Sequence, residues 1–476
     1  MASLAELRRT QLQEASFNLS NGTSTLTQII IDRLLFEAVR RYSPLRRALP
    51  RRTWMAKDYR FNSRLSLPDA DAVTESPSLT DVTATNSSYV QGIFPIKHLQ
   101  AQLDIAKFSA EVANVNGNLY DLEIMGAAKS MAYREEMMHM YGNAISSAPT
   151  KHPEWDGLDF LMANGNKIDA AGAMVTPKML DNMIDTVNGL TAEELAENYF
   201  FVMTNRMQSS LNQQFIAQER FNVSTTRMFA RDDYGFPSGG IDNNGVDAGI
   251  ELQSYRGIPL VKSSFLGNVG TMGTVSASAA GSGSQLANIA YYYVVEAVTR
   301  DGLSNASAEV TVTPTAGQNV TLTWTTPTIL NVLGQATKIS AYRIFRGTAT
   351  TAESLYAVQS ARDASDAAVT SFVDAGLPAN GTTNTFATFN TVGSAALPDG
   401  VTFPRVNASG GQAVQDIFLV PRNEEYCVVP VFKEITTVPL APVNARSTQI
   451  SLISDMTLAL RAPQFVAKLS RVRYAV

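Results

Sequence analysis

The period of the hydrophobic positions changes along the chain, and the changes divide it. Between residues 24 and 40, Leu26, Ile30 and Leu34, then the Phe36 to Val39 stretch, recur near helical spacing and predict an amphipathic helix. Ser43-Pro44 ends it, because a proline pushes the residue before it out of helical geometry. The longest helix is predicted over 119–141. Tyr120, Ile124, Ala127, Met131 and Met138 form its apolar face, while Glu123, Lys129, Arg134 and Glu135 keep other faces wet. Asn118 stands at the capping position and Gly142 where helices commonly stop. At 1.5 Å per residue the helix is roughly 35 Å long. Thr176 and Pro177 open a short helix with Leu180, Met183, Ile184 and Val187 on one face. Tyr199 to Met203 is a buried-strand run, followed by a helix carrying Met207, Leu211 and Phe215. Asn244-Gly245 marks a tight turn before the extended stretch Ile250 to Leu266.

Composition then shifts. Residues 268–284 (NVGTMGTVSASAAGSGS) predict a flexible linker. From 288 to 374 the period is two: Tyr291, Tyr293, Val295 and Ala297 alternate on one face, as do Val320, Leu322 and Trp324. Ile339, Tyr342 and Ile344 follow, then Leu355 to Val358, then Phe372. Several short strands at this spacing predict a small β-sandwich. A second soft stretch covers 376–400, and 413–476 is strand-rich again, with Ile417 to Val420, Tyr426 to Phe432 and Thr457 to Arg461. An all-β block between two α/β-type segments, with linkers on both sides, is the pattern of a domain inserted into a surface loop, exposed on flexible connections and pointing outward.

Length and composition add bounds. A chain of 476 residues suggests about three cores. Its 45% hydrophobic content is that of a globular protein, and a net charge of -5 gives no overall basic character of the nucleic-acid-binding kind. The single cysteine, Cys427, excludes an intrachain disulfide and fits a reducing compartment. No apolar block follows the opening MASLAELRRTQLQEAS, so no signal peptide is expected, and no run is long enough to span a membrane. A soluble protein made in the cytoplasm is expected.

Charge is uneven where hydrophobic period is missing. Arg40, Arg41, Arg46, Arg47, Arg51, Arg52, Lys57, Arg60 and Arg64 precede an acidic, Pro/Ser/Thr-rich stretch with Asp69, Asp71, Glu75 and Asp81. Such a stretch cannot bury itself in its own core and predicts a long excursion from the body, flanked by strand-like segments Trp54 to Leu67 and Tyr89 to Ile105.

The order of these features resembles the major capsid proteins of tailed bacteriophages, the Hong Kong 97-type fold. SAEVANVNGNLYDLEIMGAAKSMAYREEMMHMYGNA resembles the passage from strand to spine helix. PEWDGL resembles the segment after the spine, NYFFVMTNRMQSSLNQQF the apical strand and helix, and SYRGIPLVKSSFL a strand of that domain. The later block resembles a fibronectin type III or immunoglobulin-like module in permuted order. YYYVVEAVTRDGLSNASAEVTV, the usual late pair, comes before VTLTW, AYRIFRG and SFVDAGL. The resemblance implies an α+β fold with an N-terminal arm (1–50), an extended loop (51–100), a peripheral domain with spine helix (101–160) and an apical domain (161–267). An inserted Ig-like sandwich with linkers (268–405) and return strands of the apical and peripheral domains (406–476) complete it.

The same resemblance implies a structural subunit that self-assembles into pentamers and hexamers of an icosahedral head, located in the virion and assembled in the bacterial cytoplasm. It implies no enzyme activity and no cofactor. Its partners would be further copies of itself, a separate scaffolding protein, a portal and a decoration protein, with packaged DNA contacted non-specifically and no membrane. Intersubunit contact is expected at Arg40, Arg41, Arg46, Arg47, Arg51, Arg52, Arg60 and Arg64 against Asp69, Asp71, Glu75 and Asp81. The arginines facing DNA, or both charge groups being merely solvated, stay open. The type member cross-links a loop lysine to a neighbour's asparagine, but Ser66 to Val82 contains no lysine, and Lys57 and Lys97 lie toward the loop's base. Self-catalysed cross-linking is therefore not expected.

No catalytic constellation emerges. His98, His139 and His152 show no metal-ligand spacing, and Cys427 sits in a packed strand run. GSGS lacks the lysine of a phosphate loop, and Asp242, Asn243, Asn244 and Asp247 read as a turn. Glu135-Glu136 and Glu193-Glu194 read as solvated helix faces. The alternatives are a phage tail, baseplate or adhesion protein with an Ig-like module, an encapsulin-type shell, and a secreted carbohydrate-active enzyme.

Overall fold

A computed structural model describes residues 44–64, 68, 86–87, 89–107, 119–143, 153–170, 173–189, 195–219, 253–266, 270, 272–282, 286–329, 336–350, 353–376, 389–391, 414–440 and 446–474. The expected helix over 24–40, Asn118, the Asn244-Gly245 turn and most of 376–400 lie outside these residues. The helices are α1 (Leu45–Ala48), α2 (Leu119–Tyr141), α3 (Leu158–Leu161), α4 (Pro177–Asn188), α5 (Leu195–Asn198) and α6 (Asn205–Glu219). The strands are β1 (Arg51–Thr53), β2 (Asp58–Arg64), β3 (Tyr89–Pro95), β4 (Lys97–Ala106), β5 (Lys167–Asp169), β6 (Tyr199–Met203), β7 (Ser254–Tyr255), β8 (Ile258–Lys262), β9 (Val275–Ala280), β10 (Tyr291–Thr299) and β11 (Val310–Val312). They continue with β12 (Asn319–Trp324), β13 (Ile339–Gly347), β14 (Ser354–Ser360), β15 (Ser371–Asp374), β16 (Phe389–Thr391), β17 (Val414–Pro421), β18 (Cys427–Pro439), β19 (Ser447–Met456), β20 (Ala459–Leu460) and β21 (Ala467–Arg473). The class is mixed α+β, mostly sheet.

Helix α2 is made of strong helix formers without proline, and it stops at Gly142, whose amide still bonds to the Met138 carbonyl at 3.1 Å. A Cβ at Gly142 would come within 2.4 Å of the Trp155 carbonyl oxygen, so the returning chain packs there only against glycine. The C-terminal turns of α2 are buried, whereas residues 120–130 are exposed or half-buried. Beside the helix runs a sheet ordered β1-β18-β19-β4, with β20 also on β18. β19 and β4 stay in antiparallel register over their whole length, from Ser447↔Ala106 to Met456↔Lys97.

A second, six-stranded sheet is ordered β5-β21-β17-β6-β8-β7. β6 (YFFVM) is buried throughout because the sheet is covered on both faces. Tyr199, Phe201 and Met203 face one core with Leu180, Met183, Ile184 and Val187 of α4, while Phe200 and Val202 face the other with Trp155 and Met138. Thr176 and Pro177 open α4 as the sequence predicts. Two C-terminal strands, β17 and β21, lie inside this sheet, so the chain's end completes a layer begun some 250 residues earlier.

Between these segments lies a two-sheet sandwich. A five-stranded sheet (β11-β10-β13-β14-β16) encloses a core with a three-stranded one (β15-β12-β9). Tyr293, Val295, Ala297, Val320, Leu322, Trp324, Tyr342 and Ile344 fill it, on the face that the period-two pattern selects. Fully buried Asp374 on β15 accepts hydrogen bonds from Tyr293 (2.7 Å), Tyr356 (2.8 Å) and Arg346 (2.8 Å), tying one sheet to the other.

The linker expected over 268–284 is corrected. Val275 to Ala280 form β9, paired with β12 from Asn319↔Ala280 to Trp324↔Val275. An edge strand needs only a backbone ladder, and its Ser/Ala side chains leave no hydrophobic period to read. The loosely tethered module is corrected as well. Val294 and Val298 of β10, Ala341 and Phe345 of β13 and Leu355 and Val358 of β14 point away from the sandwich core and belong to the core that contains Trp155, Leu158 and Phe418. The five-stranded sheet is thus buried on both faces, one against its partner sheet and one against the body.

Candidate functional site

β2 and β3 form a two-stranded ribbon in register from Asp58↔Pro95 to Arg64↔Tyr89. Its two faces differ. Tyr59, Phe61 and Phe94 line one face and pack near Trp54, Val428 and Ala459 at the ribbon's base. Phe61 stacks on Phe94 with ring centroids 5.9 Å apart, and Gly92, opposite Phe61, leaves room for that ring. The other face carries Arg60, Asn62 and Arg64 beside Ile93, Gln91 and Tyr89. There Tyr89 is 61% and Ile93 51% exposed, and Arg64 lies over the Tyr89 ring at 5.5 Å while bonding its hydroxyl at 3.0 Å. An isolated two-stranded ribbon is marginal in water, and this face leaves cationic and apolar side chains exposed side by side.

The expected contact residues separate into groups. Arg40, Arg41, Asp69, Asp71, Glu75 and Asp81 lie outside the described residues. Arg46 and Arg51 both have partners within the chain. Arg51 meets Glu135 at 2.6 Å and Glu434 at 3.0 Å; Arg46 bonds Glu135 and reaches Glu434 at 2.9 Å. Arg52 lies 3.2 Å from Glu424 and Arg60 3.5 Å from Asp58, both on exposed surface. Arg47 is exposed.

The expected solvated pair Glu135-Glu136 is also corrected, because both side chains are buried. Glu135 shares the helix face of Met131 and Met138, and that spacing is the signal that could have placed it inside. Its other oxygen neighbour is His139 Nε2 at 3.3 Å, and the His139 ring packs on Trp155. Burial alone would raise the Glu135 pKa, but His139, Arg51 and Arg46 hold it at about 2. Glu136 accepts the Leu45 amide at 3.0 Å and the Ser263 hydroxyl at 3.1 Å. Burial, with the Glu135 charge adding to it, pushes its carboxyl up to about 8 against those two hydrogen bonds. Together the two glutamates fasten the segment after the N-terminal residues to the buried end of α2.

A second buried charge cluster lies where the sandwich meets the body. Asp159 on α3 binds Arg343 of β13 at 2.6 Å with one oxygen and Lys468 of β21 at 2.9 Å with the other. Lys468 also bonds Asp416 of β17 at 2.8 Å, and the Tyr141 hydroxyl donates to Asp416 at 2.9 Å. Glu296 of β10 stands 3.5 Å from Arg343. Burial would raise the Asp159 pKa, yet Lys468 and Arg343 hold it well below the usual carboxylate range. Sequence reasoning missed this cluster. Arg343 sits opposite Tyr342 and Ile344 in an alternating strand, which reads as a wet position when only one face is assumed buried.

The described residues therefore define an α+β protein with a projecting ribbon, a long helix exposed over its first half, and a sandwich docked on its body. No family model matches the chain, and no curated protein matches it. Among solved structures it is similar to the capsid of a native GTA particle (10% identity, 95% of this chain and 99% of that chain, TM-score 0.45). It is also similar to a Gordonia phage Cozz chain (9% identity, 95% and 92% covered, TM-score 0.45). A third is the holo-SrpI encapsulin complex of Synechococcus elongatus PCC 7942 (11% identity, 100% and 98% covered, TM-score 0.38).

Proposed function

We propose that this chain is a shell-forming structural subunit, the major capsid protein of a tailed phage, which assembles through pentamers and hexamers into an icosahedral head around DNA. The observation that carries this is the two-faced ribbon. One face is pinned to its own body by Tyr59, Phe61 and Phe94, and the other offers Arg60, Arg64, Tyr89 and Ile93 to solvent. A monomeric protein gains nothing from such an excursion, whereas a subunit repeated many times gains contact area at each copy. The order of elements (arm segment, ribbon, long helix, six-stranded sheet, returning C-terminal strands) is the order that the sequence resemblance implies. Scaffolding, portal and decoration proteins, and assembly in a bacterial cytoplasm, belong to the same proposal.

The exposed arginines of the ribbon and arm segment would meet the acidic stretch Asp69, Asp71, Glu75 and Asp81 of a neighbouring copy. Single exposed ion pairs contribute only about 0–1 kcal/mol, but repetition over a closed lattice multiplies them. Negative-stain electron microscopy of the purified full chain, alone and coexpressed with its scaffold, tests the proposal. Closed shells or five- and six-membered rings are expected, and elongated fibres would overturn it. Charge reversal at Asp69, Asp71 and Glu75 is expected to block shells; normal shells from that variant would reject the pairing. Shells that carry a protein cargo and no nucleic acid would move the assignment to a cellular compartment.

A further inference from the structure

We propose that Asp159 and Arg343 form a latch that fixes the sandwich on the body in one orientation, so that the outer face of its three-stranded sheet is presented as a rigid layer. The apolar part of this contact is a nearly continuous sheet face of Val294, Val298, Ala341 and Phe345, which by itself excludes water without setting a direction. The direction comes from Arg343, which leaves that face and reaches Asp159 at 2.6 Å, 184 residues away in sequence. A charge-assisted bond of this kind has a defined donor, acceptor and angle, so it fixes register where apolar contact does not.

Charge bookkeeping on the two sides is complementary. The body contributes Asp159 from α3, Asp416 from β17 and Lys468 from β21, with the Tyr141 hydroxyl from α2 on Asp416. Arg343 supplies the positive charge that this set lacks. Glu296 from β10 and Lys167 from β5 stand at the rim, each drawn by burial toward its neutral form, to about 7 in both cases. Undocking would leave Arg343 without its 2.6 Å partner and leave Asp159 and Asp416 to share the single charge of Lys468. The latch stands independently of the shell assignment.

The consequence is a fixed display. Ser276 and Ser278 of β9, Thr321 and Thr323 of β12 and Ser371 of β15 lie with exposed Val373 on the face turned away from the sandwich core, an uncharged surface of hydroxyls around one apolar side chain, held at a set angle to the body. Spin labels at Thr323→Cys and Lys178→Cys, both exposed positions, measure that angle as a distance in the full chain, and Cys427, being buried, stays unlabelled. One narrow distance population is expected in the parent chain. Arg343→Met is expected to broaden it while far-ultraviolet circular dichroism stays unchanged, because Lys468 still pairs with both Asp159 and Asp416. Asp159→Asn is expected to broaden it too; should that variant fail to fold, Arg343→Met decides. A broad population in the parent chain, or an unchanged narrow one in Arg343→Met, would overturn the latch.

Discussion

The backbone amide of Leu45 donates to the carboxylate of Glu136 at 3.0 Å, across 91 positions of sequence and with both residues buried. An acid that an amphipathic reading would leave in water thus closes the open N-terminal end of α1 and binds the arm segment to the long helix. Its burial has a thermodynamic signature.

Glu136 holds its proton up to about pH 8 in the folded chain and up to about 4.5 when exposed. The folded state therefore binds more protons between these values, and stability falls as pH rises from about 4.5 to about 8, by roughly 1.4 kcal/mol per pH unit. Glu136→Gln keeps an acceptor for Leu45 and is expected to flatten that slope. Urea melts of parent and variant at a series of pH values check it; parallel curves would remove Glu136 as the source.

Glu135 acts with the opposite sign. Held at about 2, it contributes stability that is present above about 4.5 and lost as pH falls toward 2. Glu135→Ala strips Arg46, Arg51 and His139 of a shared buried partner and is expected to cost about 3–5 kcal/mol. Glu434→Ala, which removes the exposed partner of the same arginines, is expected to cost about 0–1 kcal/mol. Chemical denaturation of both variants separates the buried acceptor from the surface one.

Inside the sandwich, Asp374 receives Tyr293, Tyr356 and Arg346. Asp374→Ala takes the shared buried acceptor away from Arg346, Tyr293 and Tyr356, with an expected loss of about 3–5 kcal/mol. Tyr293→Phe removes one donor and is expected to cost about 1 kcal/mol. Differential scanning calorimetry reads both, and equal losses would mean that Asp374 is not the shared acceptor.

On the ribbon, Tyr89→Ser combined with Ile93→Ser touches only exposed side chains and is expected to change subunit stability by no more than about 0.5 kcal/mol. Assembly is expected to fail in the same variant, as read by analytical ultracentrifugation. Shells at parental yield would exclude this face as the intersubunit contact.

Local chemistry was readable where one face of an element meets one core. Thr176, Pro177 and the Leu180, Met183, Ile184, Val187 spacing gave α4, Gly142 gave the end of α2, and Tyr293, Val295, Leu322 and Trp324 gave the sandwich core. The reading failed where a second surface covers a face that looks wet. Arg343 and Glu296 alternate with core residues on their strands, and Glu135 and Glu136 are charged helix positions. All of them are drawn inward by partners 47 to 184 residues away. The Ser/Ala run of β9 failed for another reason, since a ladder of backbone hydrogen bonds leaves no trace in side-chain period.

Periodicity, glycine and proline placement and the order of segments are properties of neighbouring residues, and the sequence by itself determined what rests on them: the helices and strands that carry a hydrophobic period, the face of each that meets its first core, and the succession of ribbon, long helix and sheets. Which second face is buried, and which charge meets which, depends on segments brought together only by the folded chain. Asp159 is an ordinary surface acid until β13 and β21 bring Arg343 and Lys468 to its two oxygens. The tertiary structure alone decided that, because charges enter a low-dielectric interior only where opposite charges arrive with them.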